Sequence, residues 1–348
     1  EASEASEKKP ETDVESTDEP KEQGEDTDGN GSDDAEESSE DEAETEQEST
    51  EEPSKPGESE ADDGSRSGGT DGGGPGDDGA GGRPAAKKKD YDDALDDPDN
   101  VLIAPSEPRF PPKAERGGRL RRAISSRPSS YNWLSENSAD VSEIQRYVHS
   151  QFARRDRANP DAYVPELAYK VTVSDDHKTY TIHFREGVYW HVPQTLDLTQ
   201  KKYRWLRKPR EFTAEDAAFY FEMVTHPDVS AGALKSYYGD FKAAKVVDRY
   251  TLKVEWKRRT RVSRWATMEV YPLPGWLYSR TEQGEKIPEE KVAERFNRHW
   301  TTREGVGLGT GPYVVGESNR DSVELNPNLN YWRERPPIAG ITYKVVPD

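Results

Sequence analysis

The sequence predicts an α/β fold, and three local patterns predict it. Val171 and Val173, then Tyr180, Ile182 and Phe184, fall on alternate positions, the period of half-buried strands, and Ser174 to Lys178 between them supplies the turn of a hairpin. Residues 212–224 follow with Ala217, Phe221 and Val224 at helical spacing, opened by Thr213 with Asp216 three residues on, a capping-box arrangement that uses Asp where Glu or Gln is usual. Strand periodicity then returns between Val246 and Trp256, where Tyr250, Leu252, Val254 and Trp256 alternate.

The acidity of the chain belongs to its beginning. Residues 1–90 carry 32 acidic and 9 basic side chains, a net charge of −23, so the remainder holds about +3 of the total of −20. That segment has no aromatic residue, Ile, Leu or Met and a single Val14, too little apolar surface to offset chain entropy, and is expected to be a disordered spacer with a Gly/Asp linker over Gly64 to Gly82. It ends on Lys87 to Lys89, and it contains no Asp-x-Asp-x-Asp-Gly loop for calcium. Glu1 is preceded by no Met or apolar leader, so any targeting segment is expected to have been removed or left out. No apolar run is long enough to span a membrane, and without cysteine there is neither a disulfide nor a Cys-based zinc or redox site.

Pro98, Pro105, Pro108, Pro111 and Pro112 make 91–118 an extended lead-in, and the globular part is expected to start at Arg119. Asp140 to Phe152 predicts a helix, with Val141, Ile144, Val148 and Phe152 on one face. Residues 192–211 are rich in Lys, Arg and aromatics. Basic residues beside Tyr203 and Trp205 invite a nucleic-acid reading, but the charge is local and no nucleic-acid module surrounds it, so a solvated surface excursion is expected. Pro288 opens a predicted helix with Val292, Phe296 and Trp300 on one face. The glycines of 305–311 lead into a strand with no Gly-Lys-Ser/Thr, which excludes dinucleotide and phosphate-loop readings and favours conformational glycines at a crossover.

No catalytic constellation is legible. The six histidines show no His-Glu-x-x-His spacing, no Gly-x-Ser-x-Gly elbow occurs, and carboxylates are too abundant to single out an acid–base pair. Tyr163, Tyr313 and Trp332 are expected in the core. No enzyme activity, metal or cofactor is expected.

Several segments, taken in order, resemble the bacterial extracellular solute-binding proteins of family 5, the peptide and nickel class. They are Pro165-Glu-Leu-Ala168, Phe184-Arg-Glu-Gly187, Trp190-His191, Thr213-Ala-Glu-Asp216, Gly309-Thr-Gly-Pro-Tyr313, Asn326-Pro-Asn-Leu-Asn-Tyr-Trp332 and Ile341 to Asp348. The family's Asp-Gly after the aromatic-His pair is replaced by the 192–211 insertion. The resemblance implies a periplasmic-binding-protein-like fold, type II, peptide-binding class, and an incomplete one: a first lobe plus the extra small domain, with the second lobe missing, as in the N-terminal portion of a longer chain. Its divisions would be 1–90 (acidic tail), 91–118 (lead-in), 119–165 (first part of lobe I), 166–304 (small α/β domain) and 305–348 (return to lobe I).

The resemblance also implies a function. The chain would be the substrate-binding component of an ABC importer, taking an oligopeptide or related solute to permease subunits outside the cytoplasmic membrane. No nucleic-acid partner is implied, and membrane contact only through a possible N-terminal lipid anchor upstream of Glu1. Arg119 to Ile124 resembles the family's first strand, whose next turn approaches the ligand, which points to Ser126 and Arg127; the family often has Glu-Pro where this chain has Arg127-Pro128. Tyr237 lies where some members place a ligand-facing tyrosine, although tyrosines packing on a loop explain that stretch equally well. The alternative is an exported acidic-tailed structural or adhesion protein that reuses the scaffold without transport.

Overall fold

The computed structural model describes residues 89–110 and 113–347, so the acidic spacer lies outside the described residues apart from Lys89 and Asp90. In chain order the elements are β1 (Leu120–Ile124), α1 (Ala139–Val148), β2 (Ala153–Arg155), β3 (Tyr163–Pro165), β4 (Ala168–Val173), β5 (Thr179–Phe184) and α2 (Ala214–Thr225). They continue with β6 (Phe241–Asp248), β7 (Thr251–Trp256), α3 (Arg261–Met268), α4 (Gly275–Tyr278), α5 (Glu289–Phe296), α6 (Trp300–Arg303), β8 (Tyr313–Ser318), β9 (Ser322–Pro327) and β10 (Ile341–Val345).

Two four-stranded sheets result. The first has the order β1-β10-β9-β8, with β1 parallel to β10 (Leu120 opposite Ile341, Ile124 opposite Val345) and the other pairs antiparallel. A parallel pair needs a crossover connection, and here the crossover is nearly the whole intervening chain, including the second sheet, β4-β5-β7-β6. The hairpin of the second sheet pairs Val171 with Ile182 and Val173 with Tyr180. Its turn closes through the Ser174 N–H to the Thr179 carbonyl at 2.9 Å, with His177 in the left-handed region at φ 54°. Val171, Tyr180, Ile182 and Phe184 are buried in one core with Ala217, Phe221 and Val224 of α2. Phe221 lies parallel to Phe241 of β6, with centroids 5.4 Å apart. Around the first sheet a separate core gathers Ile124, Ile144, Val148, Tyr313, Val315, Leu325 and Tyr343.

Several expectations are corrected. The predicted helix to Phe152 stops at Val148, because the Gly311 N–H takes the Val148 carbonyl at 2.9 Å while Phe152 turns away to donate to the Val270 carbonyl at 3.0 Å. The helix after Pro288 ends at Phe296, and Trp300 opens a separate helix that packs in a different apolar cluster from Val292 and Phe296. The predicted strand from Val246 breaks at Asp248, whose carboxylate accepts the Tyr250 N–H at 2.8 Å, so its first residues belong to β6 and the rest to β7.

The folded part also starts well before Arg119. Val101 donates its N–H to the Val171 carbonyl and Ile103 to the Tyr163 carbonyl, both at 2.9 Å, and Leu102 is fully buried between them. Asn100 accepts the Val171 N–H at 3.0 Å, so the lead-in covers the free edge of β4.

Candidate functional site: the joint between the sheets and the face beside it

The segment leaving β5 carries Trp190 and His191 into the space between the sheets, and both are buried. The Trp190 indole N–H donates to Asp216 Oδ2 at 3.0 Å, the Thr213 N–H reaches the same oxygen at 3.2 Å, and the Gly275 N–H reaches Oδ1 at 3.0 Å. One buried carboxylate thereby ties the end of the hairpin, the start of α2 and the start of α4. Burial pushes the Asp216 carboxyl up to about 7, against those three donors, which favour its ionised form. The capping-box arrangement is present, but it closes through Asp216; the Thr213 hydroxyl faces the third helical amide without completing a hydrogen bond of normal geometry.

His191 performs the corresponding task toward the first sheet. Its Nε2 lies 2.9 Å from the Gly311 carbonyl and its Nδ1 accepts the Gly309 N–H at 3.1 Å. A carbonyl can only accept and an amide N–H only donate, so the ring is fixed as the neutral Nε2–H tautomer. Burial lowers its pKa to about 4. The glycines it holds answer to packing more than to dihedral angle. Of the four glycines in 305–311 only Gly305 has positive φ, 61°, whereas a Cβ on Gly309 would lie 2.0 Å from the Val148 carbonyl oxygen and one on Gly311 2.6 Å from it.

Ser126 and Arg127 sit together on the connection from β1 to α1. Asp140, in the first turn of α1, draws that connection in. Its Oδ2 accepts the Ser126 N–H at 2.9 Å and the Ser125 and Ser126 hydroxyls at 2.9 and 3.0 Å. Burial opposes ionisation there, and these donors outweigh it, holding the Asp140 carboxyl below its ordinary value. Arg127 is exposed beside Tyr131. Tyr237 is on a different element, the 3-10 turn Gly232–Tyr238, where it is 43% exposed and edge-on to Trp265 at 5.0 Å. Its neighbour Tyr238 points the other way, buried, with its hydroxyl 2.8 Å from that of Tyr220 and donating to the Ala266 carbonyl at 3.1 Å.

Sequence reasoning missed a ring cluster behind this face. Trp133, His149 and Tyr271 pack mutually edge-on, with centroids 5.9–6.5 Å apart, and Trp133 also stacks on Tyr220. Burial, with His191 close by, lowers the His149 pKa to about 3, so it is neutral. Three residues scattered over 133–271 leave no local signal; only the tertiary fold assembles them.

The 192–211 insertion is a packed element, not a solvated excursion. It forms a 3-10 turn, Lys201–Leu206, that buries Tyr203 and Leu206 against Leu277, Trp300, Val306 and Leu308. The Tyr203 hydroxyl lies 2.7 Å from a Glu282 oxygen, to which it donates, and 3.0 Å from a Glu304 oxygen that shares the same proton, while Lys202 and Arg303 pair with Glu282 at 2.6 and 2.8 Å. Trp205 donates to the Glu282 carbonyl at 3.1 Å and meets the rings of Trp276 and Trp300. A cavity of about 550 Å³ adjoins it, lined by Glu282, Ile287, Arg295, Arg298, His299 and Trp300 among others. The apolar residues at 203, 205 and 206 were the available signal, hidden among lysines and arginines whose stems lie along the surface.

Trp190 and Asp216 thus tie the end of the hairpin to α2 and α4, and His191 ties it to the glycines ahead of β8. This chain belongs to the bacterial extracellular solute-binding proteins, family 5, whose middle-region profile matches residues 162–348. It is 26% identical over 195 residues to haem-binding protein A of Haemophilus influenzae, covering 53% of this chain and 32% of that protein. It is 25% identical over 198 residues to the dipeptide-binding protein of Escherichia coli, covering 53% of this chain and 33% of that protein. The chain thus spans about a third of the length of these curated relatives.

Among solved structures it is similar to the oligopeptide-binding protein AppA of Bacillus subtilis in complex with a nonapeptide. The TM-score is 0.55 at 20% identity, over 68% of this chain and 41% of that one. The peptide complex of the periplasmic binding protein DppA from Helicobacter pylori gives 0.50 at 18% identity, over 68% and 44%. These likenesses show the fold, part of a type II α/β periplasmic-binding-protein architecture. Among the described residues no helix is long and apolar enough to cross a membrane.

Proposed function

We propose that this chain supplies part of the substrate-binding component of an ABC importer, which captures peptide-like solutes outside the cytoplasmic membrane and passes them to permease subunits. The observation that carries the reading is the family match over 162–348 together with the joint it contains, where His191 holds Gly309 and Gly311 ahead of β8 and Trp190, through Asp216, anchors the same segment to α2. Relatives named for dipeptide and oligopeptide binding favour a peptide; the relative named for haem keeps a second solute class in the test. In this reading 119–165 and 305–348 form one lobe and 166–304 the small domain. Ser126, Arg127 and Tyr237 face the solute, with Arg127 attracting carboxylates, and a lipid anchor upstream of Glu1 would tether the protein through its acidic segment.

Titration calorimetry with a tri- to pentapeptide mixture and, separately, with haem tests the proposal. The whole protein is expected to bind peptides, and Arg127→Ala to weaken acidic peptides about tenfold more than neutral ones, because a guanidinium pairs with a carboxylate through two parallel hydrogen bonds. Residues 1–348 alone are expected to bind no tighter than about the millimolar range, since a two-lobed binder gains affinity by closing on the ligand from both sides. Haem binding without peptide binding would overturn the peptide assignment. Binding of neither, with no importer encoded alongside, would favour a structural or adhesion role.

A further inference from the structure

The cavity beside the 192–211 insertion, about 550 Å³, has the size that holds a small organic molecule. It lies where two apolar clusters meet. Ile287, 2% exposed, belongs to the core of the hairpin and α2, and Trp300 belongs to the cluster that the insertion completes. The Trp300 indole N–H donates to the Arg280 carbonyl at 3.0 Å, and its ring stacks on Tyr203 with centroids 6.2 Å apart. His299 spends both ring nitrogens inside the fold, 2.9 Å from the Arg280 carbonyl and 2.9 Å from the Thr301 hydroxyl. The apolar wall is therefore fixed in place.

The charges around the cavity do not cancel. Two carboxylates line it, Glu282 and Glu294, and both are already engaged. Glu282 is held by Lys202 of the insertion at 2.6 Å and by Arg303 at 2.8 Å, Arg303 also reaches Glu304 at 2.9 Å, and Glu294 pairs with Lys291 at 3.1 Å. Three acids thus meet three bases. Arg295 and Arg298 line the same cavity, and among the described residues neither side chain has an ion pair or a hydrogen bond. Two positive charges remain. The backbone between them is pinned at Asn297, whose side chain accepts the Ser230 N–H at 2.8 Å and donates to the Asp228 carbonyl at 2.7 Å.

We infer that this cavity binds a small carboxylate with an apolar body. The guanidinium groups of Arg295 and Arg298 supply paired donors for the carboxylate, and Ile287 and Trp300 supply the surface on which the rest of the molecule is buried. The insertion gives the cavity its sign, because Lys202 and Tyr203 hold Glu282 and so remove the acid that would otherwise repel the ligand. The site is separate from the solute-facing residues proposed above and does not depend on that assignment.

The test is titration of the full chain with benzoate, read from the broadening of the ligand's proton NMR signals. Benzamide serves as the neutral isostere, and inorganic phosphate as an anion without an apolar body. Saturable benzoate binding in about the millimolar range is expected, at least about tenfold tighter than benzamide, the worth of a charge-assisted pair. Phosphate should displace no more benzoate than chloride of equal ionic strength does. Arg295→Gln and Arg298→Gln, both at exposed positions, should each weaken benzoate about tenfold and leave benzamide unchanged. Lys202→Ala should weaken benzoate as well, by returning the charge of Glu282 to the cavity. Arg320→Gln removes the same charge from the exposed turn between β8 and β9 and should leave binding as in the parent. The comparison of benzoate with benzamide uses the parent alone, so it decides whatever the variants do. Equal affinity for the two, displacement by phosphate, parent-like binding by both Arg variants, or an equal loss in Arg320→Gln would overturn the site.

Discussion

The His191 joint makes a quantitative claim about pH. The ring accepts from Gly309 and donates to Gly311 only while neutral; a second proton would set an N–H against the Gly309 N–H inside a closed core. Its folded pKa of about 4 lies below the ordinary value of 6.5, so the stability it contributes is fully present above pH 6.5, declines as pH falls below that, and is gone once pH passes below 4. Linkage over that gap gives about 2 kcal/mol lost from His191 between pH 7.5 and pH 5. Asp216 works in the opposite sense. Its pKa, raised to about 7, stabilises the fold fully below the ordinary carboxyl value of 3.8, and that contribution is lost as pH rises through 7.

The parent's own pH curve is therefore a difference of opposing effects, and the informative comparison is parent against His191→Gln. The glutamine keeps polar contact with the glycines and cannot titrate. Urea unfolding at both pH values is expected to show the variant less stable at pH 7.5 but losing about 2 kcal/mol less than the parent on acidification. An identical pH-dependent loss in both proteins would refute the claim that a neutral His191 is locked between the sheets.

Three further expectations follow from the packing. Phe221→Ala should cost about 3–5 kcal/mol, Asp216→Ala about 3 through the three amide and indole donors it strands, and Thr213→Ala at most about 1, so urea midpoints should fall in that order of severity. Gly309→Ala should cost at least about 3 kcal/mol or abolish folding, because its Cβ would meet the Val148 carbonyl oxygen at 2.0 Å; a soluble variant with the parent's melting temperature would contradict that approach. Tyr203→Ala should cost about 3 kcal/mol or more, as for a core aromatic, whereas a solvated insertion would tolerate it within about 0.5, a difference that thermal melts resolve.

Local pattern carried much of the second sheet. The alternation of Val171 to Phe184, the Ser174–Lys178 turn and the helix after Thr213 each follow from interactions within a few residues, so β4, β5 and α2 were legible in the sequence, as were the family motifs that sit on them. The acidity of residues 1–90 and the absence of cysteine were equally fixed by composition. Tertiary structure decided where neighbouring patterns stop. The predicted helix to Phe152 stops at Val148 because an amide 163 residues away, on Gly311, claims the carbonyl it needed. Tyr237 and Tyr238 read alike in sequence and point to opposite sides, because only one finds Tyr220 within reach. Arg109, Arg154, Arg333 and Glu166 are ordinary charged residues in ordinary local contexts. Docking of the lead-in and the return of the chain after β9 bring them together, and contacts between residues 57 and 167 positions apart leave no trace in the spacing of their neighbours.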